Sequence, residues 1–221
     1  MNYLEIAAVI LILAIFSFLS YKKKSLSLSG IALANIVGIL IYVFGNILSF
    51  GTILVFFVIA EACTRYNREK LKSEHGKRTT ANIVGNGFAA LAAILLGQYA
   101  AFYGALSAAL SDTVSSEIGM LAKKKPRLIT HLHTEVEPGT DGGVTLLGFA
   151  SGFVAAFIIA GIYYFISGNL LAIAVITIAG MLGSVIDSVL GAELERKGII
   201  GNTTVNFLAS SFGAIFSYLL L

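Results

Sequence analysis

Charged residues, proline and cysteine are all scarce in this chain of 221 residues. Only 12% of the residues are charged, against about 25% in an average soluble domain, and 57% are apolar, so an ordinary soluble globular protein is excluded. Cys63 is the single cysteine, which excludes an internal disulfide and a multi-cysteine metal cluster. Both prolines, Pro126 and Pro138, lie in one polar stretch. The net charge of +3 is too small to suggest nucleic-acid binding.

Long apolar runs occupy most of the chain instead. A spanning helix needs about 20 mainly apolar residues, because its backbone must satisfy its own hydrogen bonds within about 30 Å of hydrocarbon. Such runs lie at 3–20, 28–44, 47–63, 81–97, 99–120, 144–167, 169–190 and 204–221. We therefore predict an all-α fold, a polytopic transmembrane helical bundle formed as one integral membrane domain by residues 1–221. Eight spans are expected, or seven if two closely spaced runs form one.

The basic residues predict how these spans are oriented. All 15 Lys and Arg residues lie in the connections 22–24, 65–78, 123–127 and 196–197, whereas the connections near 45–47, 98 and 168 have none. Lys and Arg accumulate in cytoplasmic loops, so with eight spans both termini are expected outside the cell membrane. The first run is expected to be an uncleaved helix, since its basic cluster follows it instead of preceding it.

Costly ionisable residues also occur inside the apolar runs and are functional candidates for that reason. The acidic candidates are Glu61, Asp112, Glu117 and Asp187. The predicted topology places them in the cytoplasmic third of their spans, at the depth of Asn82, Asn86, Ser188 and Asn206. Glu61 is equally well explained by a structural ion pair near the interface. Asp112 and Asp187 have no basic residue one helical turn away, which favours a functional role.

The longest hydrophilic segment runs from Ala122 to Thr145. Its Lys124 and Arg127 precede the turn Gly139–Gly143, in which glycine backbone groups and Thr140 suit an anion and Asp141 suits a divalent cation. An ordinary loop that ends in a helix cap explains the same residues. A second basic connection ends in Lys77 and Arg78, directly before the asparagines of the fourth run, where these two side chains could reach a phosphate.

Two familiar motifs are not supported. The Gly76-Lys77 pair lacks the other residues of a phosphate-binding P-loop, since Leu71 and Arg78 occupy the required Gly and Ser/Thr positions. His131 and His133 alternate with acidic residues and could form a zinc or manganese site, but a polar, water-facing strand explains this alternation better.

Acids, amides, hydroxyls and basic groups at one depth suit Mg²⁺ and phosphate oxygens. A site at the membrane surface further suits a substrate with a phosphate head and a hydrocarbon tail.

Five sequence motifs make this interpretation more specific: SDTVSSEIG from Ser111, PRLIT from Pro126, EPGTDGGVTLLG from Glu137, GSVIDSVLGAELE from Gly183 and NTTVNFLASS from Asn202. In this order they resemble the DUF92 or TMEM19-like integral membrane family, which includes the plant phytyl-phosphate kinase of tocopherol biosynthesis.

The resemblance covers about residues 77–212, the expected catalytic core. It implies a kinase that converts a prenyl monophosphate, such as phytyl or geranylgeranyl monophosphate, into the diphosphate, with CTP as the expected phosphoryl donor. The family's acidic positions match Asp112, Glu117, Asp141 and Asp187, which we expect to be catalytic, and Asp112, Asp141 and Asp187 are expected to hold Mg²⁺. Expected to bind phosphate or nucleotide are Lys77, Arg78, Asn82, Asn86, Lys124, Arg127, Gly139, Thr140, Gly142, Gly143, Ser188, Asn202 and Asn206. The histidines of the segment 131–133 depart from the family's pattern.

Two other functions remain open at this stage. A membrane transporter of an anionic solute also uses polar residues within spans. A CTP-dependent cytidylyltransferase that makes a CDP-lipid has the same donor and metal needs. The prenyl chain length, the preferred nucleotide and the formation of homo-oligomers are not specified by the residues.

Overall fold

The structure is a computed structural model that describes residues 3–71 and 80–221, without the side chain of Asn82. These residues form eight α-helices. They are α1 (Tyr3–Lys22), α2 (Leu28–Phe44), α3 (Ile47–Leu71), α4 (Thr80–Leu95), α5 (Tyr99–Gly119), α6 (Leu146–Ser167), α7 (Leu171–Leu190) and α8 (Asn202–Leu220). A π-helical turn, Gly191–Glu195, extends α7. Each helix coincides with one of the eight predicted apolar runs.

Polar residues between the apolar runs set several of the helix ends. The Ser27 hydroxyl accepts a hydrogen bond from the Gly30 N–H at 3.1 Å, and this N-cap starts α2. Asn46 Oδ1 accepts from the N–H groups of Leu48 and Ser49, both at 2.9 Å, and so begins α3 after a break of only two residues. The predicted break at residues 45 and 46 is thereby confirmed.

Within residues 3–71 and 80–221, five helices are long and apolar enough to cross a membrane. They are α1, α3, α6, α7 with its π-helical turn, and α8. Helix α2 and the part of α4 from residue 83 to residue 95 are also apolar but shorter. The predicted class of polytopic helical membrane protein is confirmed. The number of spans and the side on which each terminus lies stay predictions.

Helix α5 is the centre of the bundle and packs against α3, α4, α6, α7 and α8. From Ala101 to Ser111 every residue of this helix is buried, and most are Ala, Gly or Ser. Small side chains let neighbouring backbones approach closely, as is usual between membrane helices. The buried Ser107 hydroxyl donates to the Ile176 carbonyl of α7 at 2.9 Å. This packing fixes the position of the second half of α5, which carries Asp112 and Glu117, next to the ends of the neighbouring helices.

The connection between α5 and α6 forms a small antiparallel sheet; the sequence predicted a water-facing strand at His131 and His133 but not the two strands beside it. Its strands are β1 (Arg127–Leu128), β2 (His131–Glu135) and β3 (Gly143–Val144), in the order β2-β1-β3. All five residues of β2 are exposed, as expected for a water-facing strand. The sheet holds residues 136–142 against the end of the bundle.

Candidate functional site

A polar cavity of about 410 Å³ lies at one end of the bundle. At this end α5 and α7 finish and α4, α6 and α8 begin, and the connection that contains the sheet covers the opening. Asp112 lies seven residues before the end of α5, or about 10 Å at 1.5 Å per residue. The cavity therefore extends about two helical turns into the bundle.

Twelve of the predicted site residues line this one cavity. They are Asn86, Asp112, Glu117, Gly139, Thr140, Asp141, Gly142, Gly143, Asp187, Ser188, Asn202 and Asn206. They come from four helices and one loop that are far apart in sequence, so their meeting is a property of the tertiary fold. Their chemical roles stay predictions.

Asp112 and Asp187 form the innermost acidic pair, from α5 and α7. Their carboxyl groups are close enough to interact directly with each other. Asp187 Oδ2 is buried and has no hydrogen-bond partner among the described residues. Two like charges at close range repel each other, and a buried unpaired carboxylate oxygen loses its hydration without compensation. A cation bound between them would relieve both costs.

Glu117 lies one and a half helical turns beyond Asp112 on α5, and its side chain is hydrogen-bonded to residues of α3. Its carboxylate accepts hydrogen bonds from Thr64 Oγ1 at 2.7 Å and from Asn67 Nδ2 at 2.9 Å. Asn67 is fully buried and also donates to the Glu117 backbone carbonyl at 2.8 Å. Both oxygens of Glu117 are thus engaged, which favours a role in joining α3 to α5 over the predicted catalytic role.

Asp141 reaches the cavity from a tight turn. The Thr140 carbonyl accepts from the Gly143 N–H at 2.9 Å, and the Thr140 hydroxyl donates to the Glu137 carbonyl at 2.7 Å. Gly142 has φ +77° and lies directly on the π-helical turn that follows α7. A Cβ at this position would be 2.5 Å from Ala192 Cβ, so only glycine allows this contact. The turn therefore places the exposed Asp141 carboxylate at the rim of the cavity.

We expect Gly142→Ala to destabilise this turn more than Gly198→Ala does. Both glycines have positive φ, which costs an alanine about 1–2 kcal/mol. Only at position 142 would the added Cβ also collide with a neighbour, because nothing lies within 4 Å of a Cβ at position 198. Overpacking adds about 1–3 kcal/mol. Thermal unfolding of the two purified variants measures the difference, and equal losses would contradict the packing described for the turn.

Glu195 is a cavity residue that the sequence analysis missed. It lies at the end of the π-helical turn, eight residues after Asp187, and interacts with the Asn202 side chain and with Asp141. A π-helical turn shifts the following residues around the helix axis, and such turns are frequent at functional sites. Glu195 belongs to the same sequence motif as Asp187, and this was the signal that could have identified it. In a regular α-helix, however, residues eight positions apart do not lie on the same line along the helix surface.

Amides and hydroxyls complete the cavity wall. Asn206 Nδ2 donates to Asn202 Oδ1 at 3.2 Å within α8. The Ser188 hydroxyl donates to the Ser184 carbonyl at 3.1 Å and can still accept a hydrogen bond. Thr145 Oγ1 caps α6 by accepting from the Gly148 N–H at 3.0 Å. These groups supply neutral donors and acceptors next to the carboxylates.

The predicted basic residues Lys124 and Arg127 do not line the cavity, and their role in phosphate binding stays a prediction. Arg127 Nη1 donates to the Leu132 carbonyl at 3.1 Å within the sheet, and Lys124 is exposed. The neighbouring Lys125 donates to Glu137 at 2.6 Å, and this hydrogen bond raises the pKa of the ammonium group above its ordinary value. Lys77, Arg78 and the side chain of Asn82 lie outside the described residues. Glu61 accepts from the Ser25 hydroxyl at 2.6 Å and is not a cavity residue.

The charge of the cavity is therefore negative over its described lining. Five acids contribute, Asp112, Glu117, Asp141, Asp187 and Glu195, and no Lys, Arg or His among the described residues does. These residues also contain no preformed group of three or more metal-ligating side chains. Asp112, Asp141 and Asp187 are thus not a ready three-ligand site, although the first and last form a close pair. Over this described lining, a cation that offsets the carboxylates would favour the entry of phosphate.

Comparison with known proteins agrees with a membrane location. The sequence model described as "Integral membrane protein DUF92" matches residues 11–214. An uncharacterized membrane protein of Methanocaldococcus jannaschii is 32% identical over 220 residues, which cover 96% of this chain and 92% of the relative. Protein PGR of Arabidopsis thaliana is 28% identical over 86% of this chain and 78% of its own length. Protein VTE6, chloroplastic, of the same plant is 28% identical over 88% of this chain and 65% of its own length. No solved structure matches the chain significantly.

Proposed function

This chain belongs to the DUF92 family of integral membrane proteins, and we propose that it is a prenyl-phosphate kinase acting at the cytoplasmic face of the cell membrane. It would transfer the terminal phosphoryl group of a nucleoside triphosphate, CTP in our proposal, to phytyl or geranylgeranyl monophosphate. The catalytic core would comprise about residues 77–212. One observation carries the proposal: an acidic, amide-rich cavity opens at one end of a bundle whose outer surface is apolar.

The donor set of the cavity fits Mg²⁺. This ion is usually held by one or two carboxylates together with waters and substrate phosphates. Asp112 and Asp187 would provide the two carboxylates, and the buried Asp187 Oδ2, which has no partner among the described residues, is available to bind a cation. Asp141 at the rim would join them once substrate is bound. When bound, Mg²⁺ would neutralise charge on the phosphates and polarise the transferred group.

The residues of the chain would contribute positioning and hydrogen bonds. Asn86, Asn202 and Asn206 lie around the acidic pair and can donate to phosphate oxygens. The glycine turn would add backbone N–H groups at the cavity mouth. Phosphoryl transfer depends chiefly on such positioning and on charge neutralisation.

The acceptor needs no strong general base. A phosphate monoester has its second pKa near 6, so near neutral pH it is mostly a dianion. One of its oxygens would form the new bond to the γ-phosphorus, and the bond from that phosphorus to the β-phosphate oxygen would break. The products are a prenyl diphosphate and a nucleoside diphosphate. The described cavity lining accordingly contains no histidine.

A turnover assay tests this proposal against its alternatives. Purified protein is incubated with geranylgeranyl or phytyl monophosphate, Mg²⁺ and CTP labelled separately in the γ-phosphate and in the base. We expect the γ-label in prenyl diphosphate and the base label in CDP. Base label in a CDP-lipid with release of pyrophosphate would identify a cytidylyltransferase. Absence of any turnover, together with uptake of an anionic solute into proteoliposomes, would identify a transporter.

A further inference from the structure

A second, apolar pocket of about 90 Å³ lies beside the polar cavity. It is enclosed by α1, α2, α3 and α4, and its lining is almost entirely hydrocarbon and aromatic. Phe16 and Phe57 form part of the wall, with ring centroids 4.7 Å apart in an edge-to-face contact. The pocket lining includes Leu26, which lies near the basic connection after α1. It also includes Phe50, which lies near the beginning of α3.

Asn86 connects the two cavities, because it lines both of them. Its neighbours Ile83 and Gly87 on α4 line only the apolar pocket, whereas Asp112 and Asn206 line only the polar one. Among the residues that the structure describes, Asn86 alone lines both cavities, so the boundary between the polar and the apolar compartment passes through its side chain. A molecule with a phosphate head and a hydrocarbon chain can occupy both compartments at once.

We propose that this apolar pocket binds the prenyl chain of the acceptor, close to its phosphate, and so selects for a branched hydrocarbon substrate. This inference rests on the proposed kinase function. The pocket runs from the surface layer at Leu26 toward the middle of the bundle, which is the direction a chain takes when its phosphate lies in the polar cavity. The aromatic and branched aliphatic lining offers dispersion contacts to methyl branches.

The size of the pocket limits how much of the chain it holds. An apolar cavity of about 150 Å³ is enough for benzene. A pocket of about 90 Å³ takes a short part of the chain, and the rest lies between the helices and in the surrounding lipid. The chain-length preference therefore depends on the residues that border the path out of the pocket.

Gly87 is a position at which the pocket itself can be filled. It lies on the pocket wall, and a Cβ built there would meet no atom of the described residues within 4 Å. A leucine at this position would fill pocket volume without displacing protein atoms next to Cβ. Gly161 of α6 is also free of neighbours within 4 Å of a Cβ and lines neither pocket, so it serves as the matched control.

The test measures kcat/KM of wild type, Gly87→Leu and Gly161→Leu for geranyl, farnesyl and geranylgeranyl monophosphate. We expect Gly87→Leu to lower kcat/KM by about tenfold or more, since one methylene in an apolar pocket is worth that much. The loss should be similar for the three chains, because each carries the first isoprene unit that the pocket holds, whereas the KM for the nucleotide and the activity of Gly161→Leu stay near wild type. No loss for any chain, or a matching loss in Gly161→Leu, would overturn the pocket assignment.

Photolabelling provides a readout that does not depend on the variant's folding. A geranylgeranyl monophosphate analogue with a diazirine in its first isoprene unit is photolysed with wild-type protein, and the labelled peptides are mapped. We expect labels in α1, α3 or α4 that geranylgeranyl monophosphate competes away. Competable labels confined to α6–α8 would overturn the pocket assignment while leaving the kinase proposal intact. No turnover of any prenyl monophosphate by wild type would overturn the kinase proposal itself.

Discussion

Asp112→Asn and Asp187→Asn are each expected to lower kcat/KM for prenyl monophosphate by at least about a hundredfold. Loss of a residue that only supports a metal ligand typically costs 10- to 100-fold in activity or affinity, and loss of a ligand should cost at least as much. The two carboxyl groups are close neighbours, and Asp187 Oδ2 has no partner among the described side chains. Steady-state kinetics with varied prenyl monophosphate and fixed nucleotide measures the effect.

The stability of these variants separates a functional effect from misfolding. Replacing one carboxylate of a repelling buried pair by an amide removes unfavourable charge, so the unfolding temperature without divalent cation should stay constant or rise. Glu69→Gln is the matched control, since Glu69 is an exposed acid that pairs with Arg65 on α3, away from the cavity. Full activity in either aspartate variant would contradict the metal assignment.

Removal of divalent cations is expected to abolish both turnover and nucleotide binding. The described lining has five acids and no basic side chain, so a triphosphate meets repulsion unless a cation lies between the charges. In a chelator such as EDTA, equilibrium binding of a fluorescent CTP analogue should become undetectable, and Mg²⁺ should restore it. A basic site of the kind first predicted around Lys124 and Arg127 would instead retain nucleotide without Mg²⁺.

Mg²⁺ should also stabilise the protein when no nucleotide is present. A ligand at 100 times its dissociation constant adds about 2.7 kcal/mol to the free energy of unfolding. The unfolding temperature should therefore rise with Mg²⁺ in wild type and rise less in Asp187→Asn. Sodium chloride at the same ionic strength controls for screening of surface charge. An identical rise in both proteins would show that the ion acts elsewhere.

The depth of the cavity residues in the membrane was predictable from the sequence, but the contacts that each of them makes were not. Apolar run lengths predicted where the helices begin and end, and the position of an acid within its run predicted how far it lies from the membrane surface. For this reason Asp112, Asp187, Asn86 and Asn206 were all expected in one layer, and the structure brings them to one cavity. The hydrogen-bond partners of Glu117 were not predictable, because they lie 50 and 53 residues away on α3.

The sequence by itself determined the membrane class, the eight helical segments and the layer of polar residues, because depth follows from local hydrophobicity along one chain. Only the tertiary structure decided which helices are neighbours, since that depends on long-range packing of similar Ala-, Gly- and Ser-rich surfaces around α5. That packing excludes Lys124 and Arg127 from the described cavity wall, adds Glu195 through a π-helical turn, and places an apolar pocket behind Asn86. Lateral arrangement of this kind is a three-dimensional property that hydrophobic patterning does not encode.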